Sequence, residues 1–263
     1  MMRVVLRLLL NIYDYLVLYL GLIWLGLICL AWTPIAFIIY PVMPLRLARM
    51  LGRYVTMTGF RLYLASLTAS RRCSFDLTAL DVLRNQPSLI IAPNHPCLLD
   101  AVMIISRLPN VACVMKADLM NNLFLGAGSR LARYIPNDPF RRMLQLAIED
   151  FQCDSHLLLF PEGTRTIQNP VNSFKGSVGL IAQHAQVPVQ TVLIETDSKY
   201  LSKGWPLFLK PELPIHYRVR LGRRFDPPKN TQQFLEELEY YFKHELVPES
   251  AFELNNTLPT KSS

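Results

Sequence analysis

Two short stretches of this chain carry residues able to do chemistry. Residues 94–100 read NHPCLLD and put a histidine five positions before an aspartate, among apolar neighbours. An aspartate that accepts a hydrogen bond from one imidazole nitrogen fixes the tautomer and leaves the other nitrogen as a general base. His95 and Asp100 are therefore a candidate base and its orienting partner. A plainer reading makes His95 a helix cap and Asp100 a carboxylate favoured by the helix dipole. Residues 160–165 read FPEGTR. Arg165 offers a planar fork for phosphate or carboxylate, and Gly163 lets backbone approach a ligand closely. Glu162 could bind a hydroxyl, hold an arginine, or simply pair with Arg165 in a turn. Both stretches follow apolar runs that read as strands, where sheets with helical crossovers bind ligands, and that shared placement favours a site.

The elements that must position them read as one α/β domain. Candidate strands are 88–92, 111–116, 156–160, 187–194 and 215–221. Between them lie candidate helices at 97–108, 140–151, 174–185 and 231–246; the second puts Phe140, Met143, Leu144, Ala147 and Phe151 on one face. This alternation predicts a mostly parallel sheet covered by helices. Proline suits the first position of a helix, so Pro96 predicts a helix beginning just after His95, with Asp100 in its first turn. Asp138 and Pro139 suggest the same device at the start of 140–151.

The N-terminus is different. No charged residue occurs from Tyr15 to Leu45. The run 15–40 would measure about 39 Å as one helix, enough to cross a hydrocarbon core of about 30 Å once. Tyrosines 13, 15 and 19 near one end, and Trp32 and Tyr40 near the other, suit two membrane interfaces. Arg46, Arg49, Arg53 and Arg61 outweigh Arg3 and Arg7 on the other flank, which predicts that everything after the segment faces the cytoplasm. The alternative is a re-entrant pair of short helices broken near Pro34, with the basic flanks touching anionic headgroups. The expected organisation is a membrane-anchoring segment (1–45), a basic amphipathic connector (46–80), the α/β domain (81–247) and a loosely ordered tail (248–263).

Composition narrows the partners. The 263 residues are 51% hydrophobic and carry a net charge of +7, which suits a negatively charged partner. The basic residues cluster beside the apolar segment and no aromatic-plus-basic module is visible, which disfavours nucleic acid. The five cysteines are scattered, with no CxxC pair, which argues against a disulfide framework or a zinc site and fits a reducing compartment.

NHPCLLD followed by FPEGTR and then QVPVQTV (186–192) resembles the glycerolipid acyltransferase family, whose best-known members are the 1-acylglycerol-3-phosphate acyltransferases. The resemblance covers roughly residues 85 to 200, and a hydrophobic N-terminus is usual in that family. It implies direct acyl transfer from a thioester, on acyl carrier protein or coenzyme A, to a lipid-precursor hydroxyl. It also implies a bacterial inner membrane location and no metal or cofactor. By the resemblance His95 is the base and Asp100 its orienter. Glu162, Gly163, Thr164 and Arg165, with Lys116 and Lys175, would hold the acceptor and its anionic group. Cys97 is expected to be a small buried residue rather than an acyl carrier.

One stretch departs from the family pattern. The family's central motif, G-x-I-F-I-x-R, carries an arginine for acceptor phosphate; here ARYIPNDPFRR (132–142) has Asn137 and Asp138 in that region. Either Arg141 or Arg142 substitutes, or the acceptor is a specialised one without a glycerol phosphate. This pattern, with SKGWPLF (202–208), resembles a bacterial branch of the family that accompanies aryl-polyene pigment lipid pathways. The alternative from another class, a non-catalytic membrane lipid-binding protein, would need neither a base nor its orienter.

Overall fold

The computed structural model describes residues 2–168, 170–206 and 209–246; the expected tail and the end of the 202–208 stretch lie outside them. Two helices come first, α1 (Met2–Ile39) and α2 (Leu45–Ala69), followed by strand β1 (Cys73–Asp76) and a 3-10 helix, Thr78–Asn85. Then follow β2 (Ile90–Pro93), α3 (Asp100–Ile105), β3 (Val111–Met115), α4 (Gly126–Leu131), β4 (Ile135–Pro136), α5 (Phe140–Phe151) and β5 (His156–Leu158). The chain closes with α6 (Ser177–Ala185), β6 (Val189–Thr196), β7 (Ile215–Phe225) and α7 (Thr231–Glu245).

The strands form one seven-stranded sheet in the order β1-β7-β6-β2-β5-β3-β4. Every pairing is parallel except β6 with β7. The α/β expectation therefore holds. Both faces are covered, so the central strands are apolar on both sides, as parallel sheets require. Along β2, Ile91 points into the core under α2 and α3, while Ile90 and Ala92 point into the core under α5, α6 and α7.

Several boundaries differ from expectation. The helix expected from residue 97 starts at Asp100, capped by Leu99 without a side-chain bond; Pro96 precedes a turn. Pro139, not Asp138, is the residue before α5, and the Asp138–Pro139 peptide is cis. The stretch 46–80, expected as a connector, holds α2 and β1, and β1 pairs with β7 at the sheet edge.

The N-terminal segment is a single helix of 38 residues that continues through Pro34, so the break of the re-entrant alternative is not observed. Helices α1 and α2 run antiparallel. Ala36 packs with Ala48, Gly59 faces Ile28, Gly21 faces Leu67, and the Tyr13 hydroxyl donates to the Ser70 carbonyl at 3.1 Å. Asp14, the one acid of α1, pairs with Arg72 at 2.6 Å and Lys210 at 3.1 Å. Leu18 is buried in the core, and the outward side of α1 is exposed and largely apolar, from Val4 to Phe37.

Helix α2 is fastened to the domain. At Gly52 it crosses the chain after α4 so closely that a Cβ would sit 2.5 Å from the Ala132 nitrogen. Arg53, expected at lipid headgroups, is instead buried and bonded to Asp150, Asn110, Ser155 and the Ala132 carbonyl. Arg49 joins the same Asp150 at 2.9 Å. Burying a guanidinium is tolerable only when its donors are satisfied, and these partners satisfy them.

Candidate active site

Strands β2 and β5 are neighbours, so the loops leaving their C-terminal ends meet. The first carries His95 and the second carries residues 160–165. Asn94 secures the first loop: its amide nitrogen donates to the Ile194 carbonyl at 2.9 Å, and its oxygen accepts from the Ile194 nitrogen at 2.7 Å. Neighbouring β6 thereby fixes the point from which His95 projects.

His95 and Asp100 meet as the spacing suggested. The imidazole Nδ1 lies 2.7 Å from Asp100 Oδ2. Asp100 is fully buried at the start of α3 and also accepts from the Cys97 backbone nitrogen at 2.8 Å and the Cys97 thiol at 3.0 Å. A carboxylate only accepts, so Nδ1 carries the proton and Nε2 is left with a free lone pair. Burial pushes the Asp100 carboxyl above its usual range, and the bonds from His95 and Cys97 pull against that shift. Phe160 stacks on the His95 ring, with centroids 3.9 Å apart, and holds its plane. Burial, helped by the Asp100 charge, pushes the Cys97 thiol well above its ordinary value, so the residue is an inert, small, buried side chain.

Glu162 differs from its expected role. It is buried, and both its oxygens are used inside the protein. Oε1 accepts from the His95 backbone nitrogen at 2.9 Å and the Thr166 hydroxyl at 2.8 Å; Oε2 accepts from the Asn172 nitrogen at 2.8 Å. It ties the turn to the histidine loop and meets no arginine among the described residues. Burial raises its carboxyl, against those three bonds. The Thr166 nitrogen closes the junction by donating to the His95 carbonyl at 2.7 Å.

Gly163 has φ +66, the left-handed region that favours glycine. Lys175 lies over it, its Nζ 3.2 Å from where a Cβ would be. Thr164 accepts from Lys203 Nζ at 3.2 Å. Arg165 directs Nη1 at the Leu201 and Ser202 carbonyls, at 2.8 and 3.1 Å, so half of the expected fork is occupied. Lys116 follows β3 and is exposed; Arg141 and Arg142 are exposed in the first turn of α5. Strand order places Lys116 one strand beyond β5 and the two arginines beyond that, on the same edge as His95 but without contact to it. Asn137 caps that corner by accepting from the Ala117 nitrogen at 3.2 Å.

Reading the sequence missed Asn94, Phe160, Thr166, Asn172 and Lys203 as supporting residues. Asn94 and Phe160 carried a signal by standing inside the two motifs, and Lys203 by standing inside SKGWPLF. No cluster of metal-ligating side chains occurs among the described residues. The arrangement is a buried carboxylate, an oriented imidazole with an open nitrogen, and a cationic turn beside it. That set can take a proton from a hydroxyl next to an anionic group.

A family model described as Acyltransferase matches residues 74–195. The chain is 24% identical over 180 residues to the 1-acyl-sn-glycerol-3-phosphate acyltransferase of Pseudomonas aeruginosa, across 66% of this chain and 68% of that one. Its fold is similar to the crystal structure of the 1-acyl-sn-glycerophosphate (LPA) acyltransferase PlsC from Thermotoga maritima, with TM-score 0.63 and 19% identity over 98% of this chain and 100% of that one.

Proposed function

We propose that this chain, whose residues 74–195 match the Acyltransferase family model, moves an acyl group from acyl carrier protein or coenzyme A to the hydroxyl of a lysophosphatidic acid-type acceptor. The observation that carries the reading is the His95–Asp100 contact at 2.7 Å, with Nε2 left open beside the FPEGTR turn. His95 Nε2 takes the proton of the acceptor hydroxyl as its oxygen attacks the thioester carbonyl. Asp100 stabilises the imidazolium that forms. Collapse of the tetrahedral intermediate breaks the carbon–sulfur bond, and the departing thiolate takes the proton back from His95. A positioned base of this kind contributes about 10²–10⁴-fold, and holding both substrates in register adds more. Arg165, with Lys116, Lys175 and Arg141 or Arg142, supplies positive charge for the acceptor phosphate.

Membrane attachment through α1 belongs to the same reading. Helices α1 and α2 are antiparallel neighbours, and α2 is locked to the sheet. If α1 stood along the bilayer normal, it would carry Arg46, Arg49 and Arg61 towards hydrocarbon at a cost of several kcal/mol. Lying along one leaflet, α1 buries its apolar surface and keeps the site at the interface. The site then faces the cytoplasm at the bacterial inner membrane.

A second reading keeps the chemistry and changes the acceptor. It rests on Asn137 and Asp138 standing where the family carries a phosphate-binding arginine, and gives a specialised, non-phosphate lipid acceptor. Membranes containing the protein, assayed with acyl carrier protein and coenzyme A thioesters against lysophosphatidic acid and monoacylglycerol, separate the two. Transfer to lysophosphatidic acid supports the first; transfer only to the neutral acceptor supports the second.

A further inference from the structure

The loop after β6 turns back over the FPEGTR turn, and its backbone is held in an unusual shape. Leu201, buried and bulky, has φ 59, a conformation such residues adopt only when the surroundings impose it. Its carbonyl accepts two bonds, from the Leu98 nitrogen at 3.1 Å and from Arg165 Nη1 at 2.8 Å. The Ser202 carbonyl takes the second arginine bond at 3.1 Å. Tyr200 and Trp205 meet edge to face at 6.2 Å around this bend. Arg165 thus serves first as a clamp that joins this loop to both motifs.

The clamp delivers Lys203. Its Nζ lies 3.2 Å from Thr164 Oγ1, on one side of Gly163, while the Lys175 side chain lies over Gly163. Two ammonium groups therefore bracket the turn. The turn's own carboxylate, Glu162, is buried with both oxygens engaged, so it does not neutralise them. Lys203 is exposed and bonded only to a neutral hydroxyl, a weak contact that an anion displaces readily. Extending the acyl-transfer reading above, on which this rests, we propose that Lys203 is a specificity-determining contact for the acceptor's phosphate. It supplies from the β6–β7 loop the charge that the sheet edge lacks at Asn137 and Asp138.

Two measurements test this. In the first, the full-length protein in detergent micelles is treated with an amine-acetylating ester and its lysines are read by peptide mass spectrometry. Lysophosphatidic acid should protect Lys203, monoacylglycerol should not, and exposed Lys229 should react equally throughout. Equal labelling of Lys203 in both lipids overturns the proposal. In the second, Lys203→Met should raise the KM for lysophosphatidic acid about 10-fold, leave kcat and donor KM unchanged, and be rescued by Lys203→Arg. An effect confined to kcat or donor KM, or none, also overturns it. If wild-type protein turns over no lysophosphatidic acid with either donor, that acceptor assignment fails, while the labelling experiment still decides the role of Lys203.

Discussion

Arg53 and Asp150 form a two-point ion pair inside the protein, with Nη2 at 2.9 Å from Oδ1 and 2.7 Å from Oδ2. Nη1 donates to Asn110 Oδ1 and to Ser155 Oγ, each at 2.7 Å, and Nε donates to the Ala132 carbonyl at 3.0 Å. All three guanidinium nitrogens are thereby engaged. The side chain is 1% exposed. One residue of α2 so reaches the chain after α4, the end of α5 and the loops before β3 and β5.

Removing Arg53 should leave Asp150 buried and under-compensated, with only Arg49 beside it. Loss of one partner of a buried pair typically costs about 3–5 kcal/mol. We expect Arg53→Ala to destabilise the domain by that order in denaturant titrations. Arg53→Lys should recover little, because an ammonium cannot reproduce the planar five-bond pattern. Equal stability of Arg53→Lys and wild type would show that the pattern is not what holds α2.

The dyad separates base from orienter. His95→Ala should lower turnover at least 10²-fold with the fold intact. Asp100→Asn keeps the shape but offers an amide where Nδ1–H needs an acceptor, so the wrong tautomer is favoured. It should lose at least about 10-fold in kcat with little change in either KM. Retention of more than a tenth of wild-type rate by His95→Ala would falsify the base assignment.

Cys97 stands two residues from His95 and donates to the same carboxylate. Because burial holds its thiol far above the ordinary range, iodoacetamide at pH 7.5 should not label it in the folded protein. Cys97→Ala should keep activity within a few-fold, since the backbone bond to Asp100 survives. An acylated Cys97 peptide trapped with donor alone would overturn the direct-transfer scheme.

Membrane attachment should reside in α1. A protein lacking residues 1–45 should leave the membrane pellet for the soluble fraction once detergent protects the uncovered face of α2. Arg49 and Arg53 are tied to Asp150, so salt-sensitive residual binding should be slight and should fall further in Arg46→Gln. Firm, salt-resistant sedimentation of the shortened protein would place the anchor elsewhere.

How far the sequence was legible follows from what each element buries. Strands β2, β3, β5 and β6 read clearly because strands covered on both faces are near-continuous apolar runs, and β7 (IHYRVRL) because its apolar and polar residues alternate. Edge strands β1 (CSFD) and β4 (IP) are too short and too mixed to stand out. Helix α4, GAGSRL, has no apolar stripe; its small residues matter because Trp32 presses against Gly128. Helix α2 was misjudged because an arginine counts as surface in any pattern, and Arg53 is inside. At the site, His95 and Asp100 were legible from type and spacing. The contacts of Glu162 and Arg165 were not, because all but one of their partners, the Thr166 hydroxyl, are backbone groups, which leave no mark on the sequence.

The pairing of β1 with β7 has a consequence for how the protein is made. Cys73 lies opposite Ile215, so the sheet edge cannot close until the ribosome has passed Phe225. By then both N-terminal helices have long been synthesised. During that interval Tyr63, Leu64 and Leu67 of α2, later buried in the core, have no sheet to cover them. Long-range strand pairing of this kind is slow and exposed to aggregation. Were α1 to enter lipid at once, as the proposed membrane attachment implies, it would keep the nascent chain apart from its neighbours during this wait.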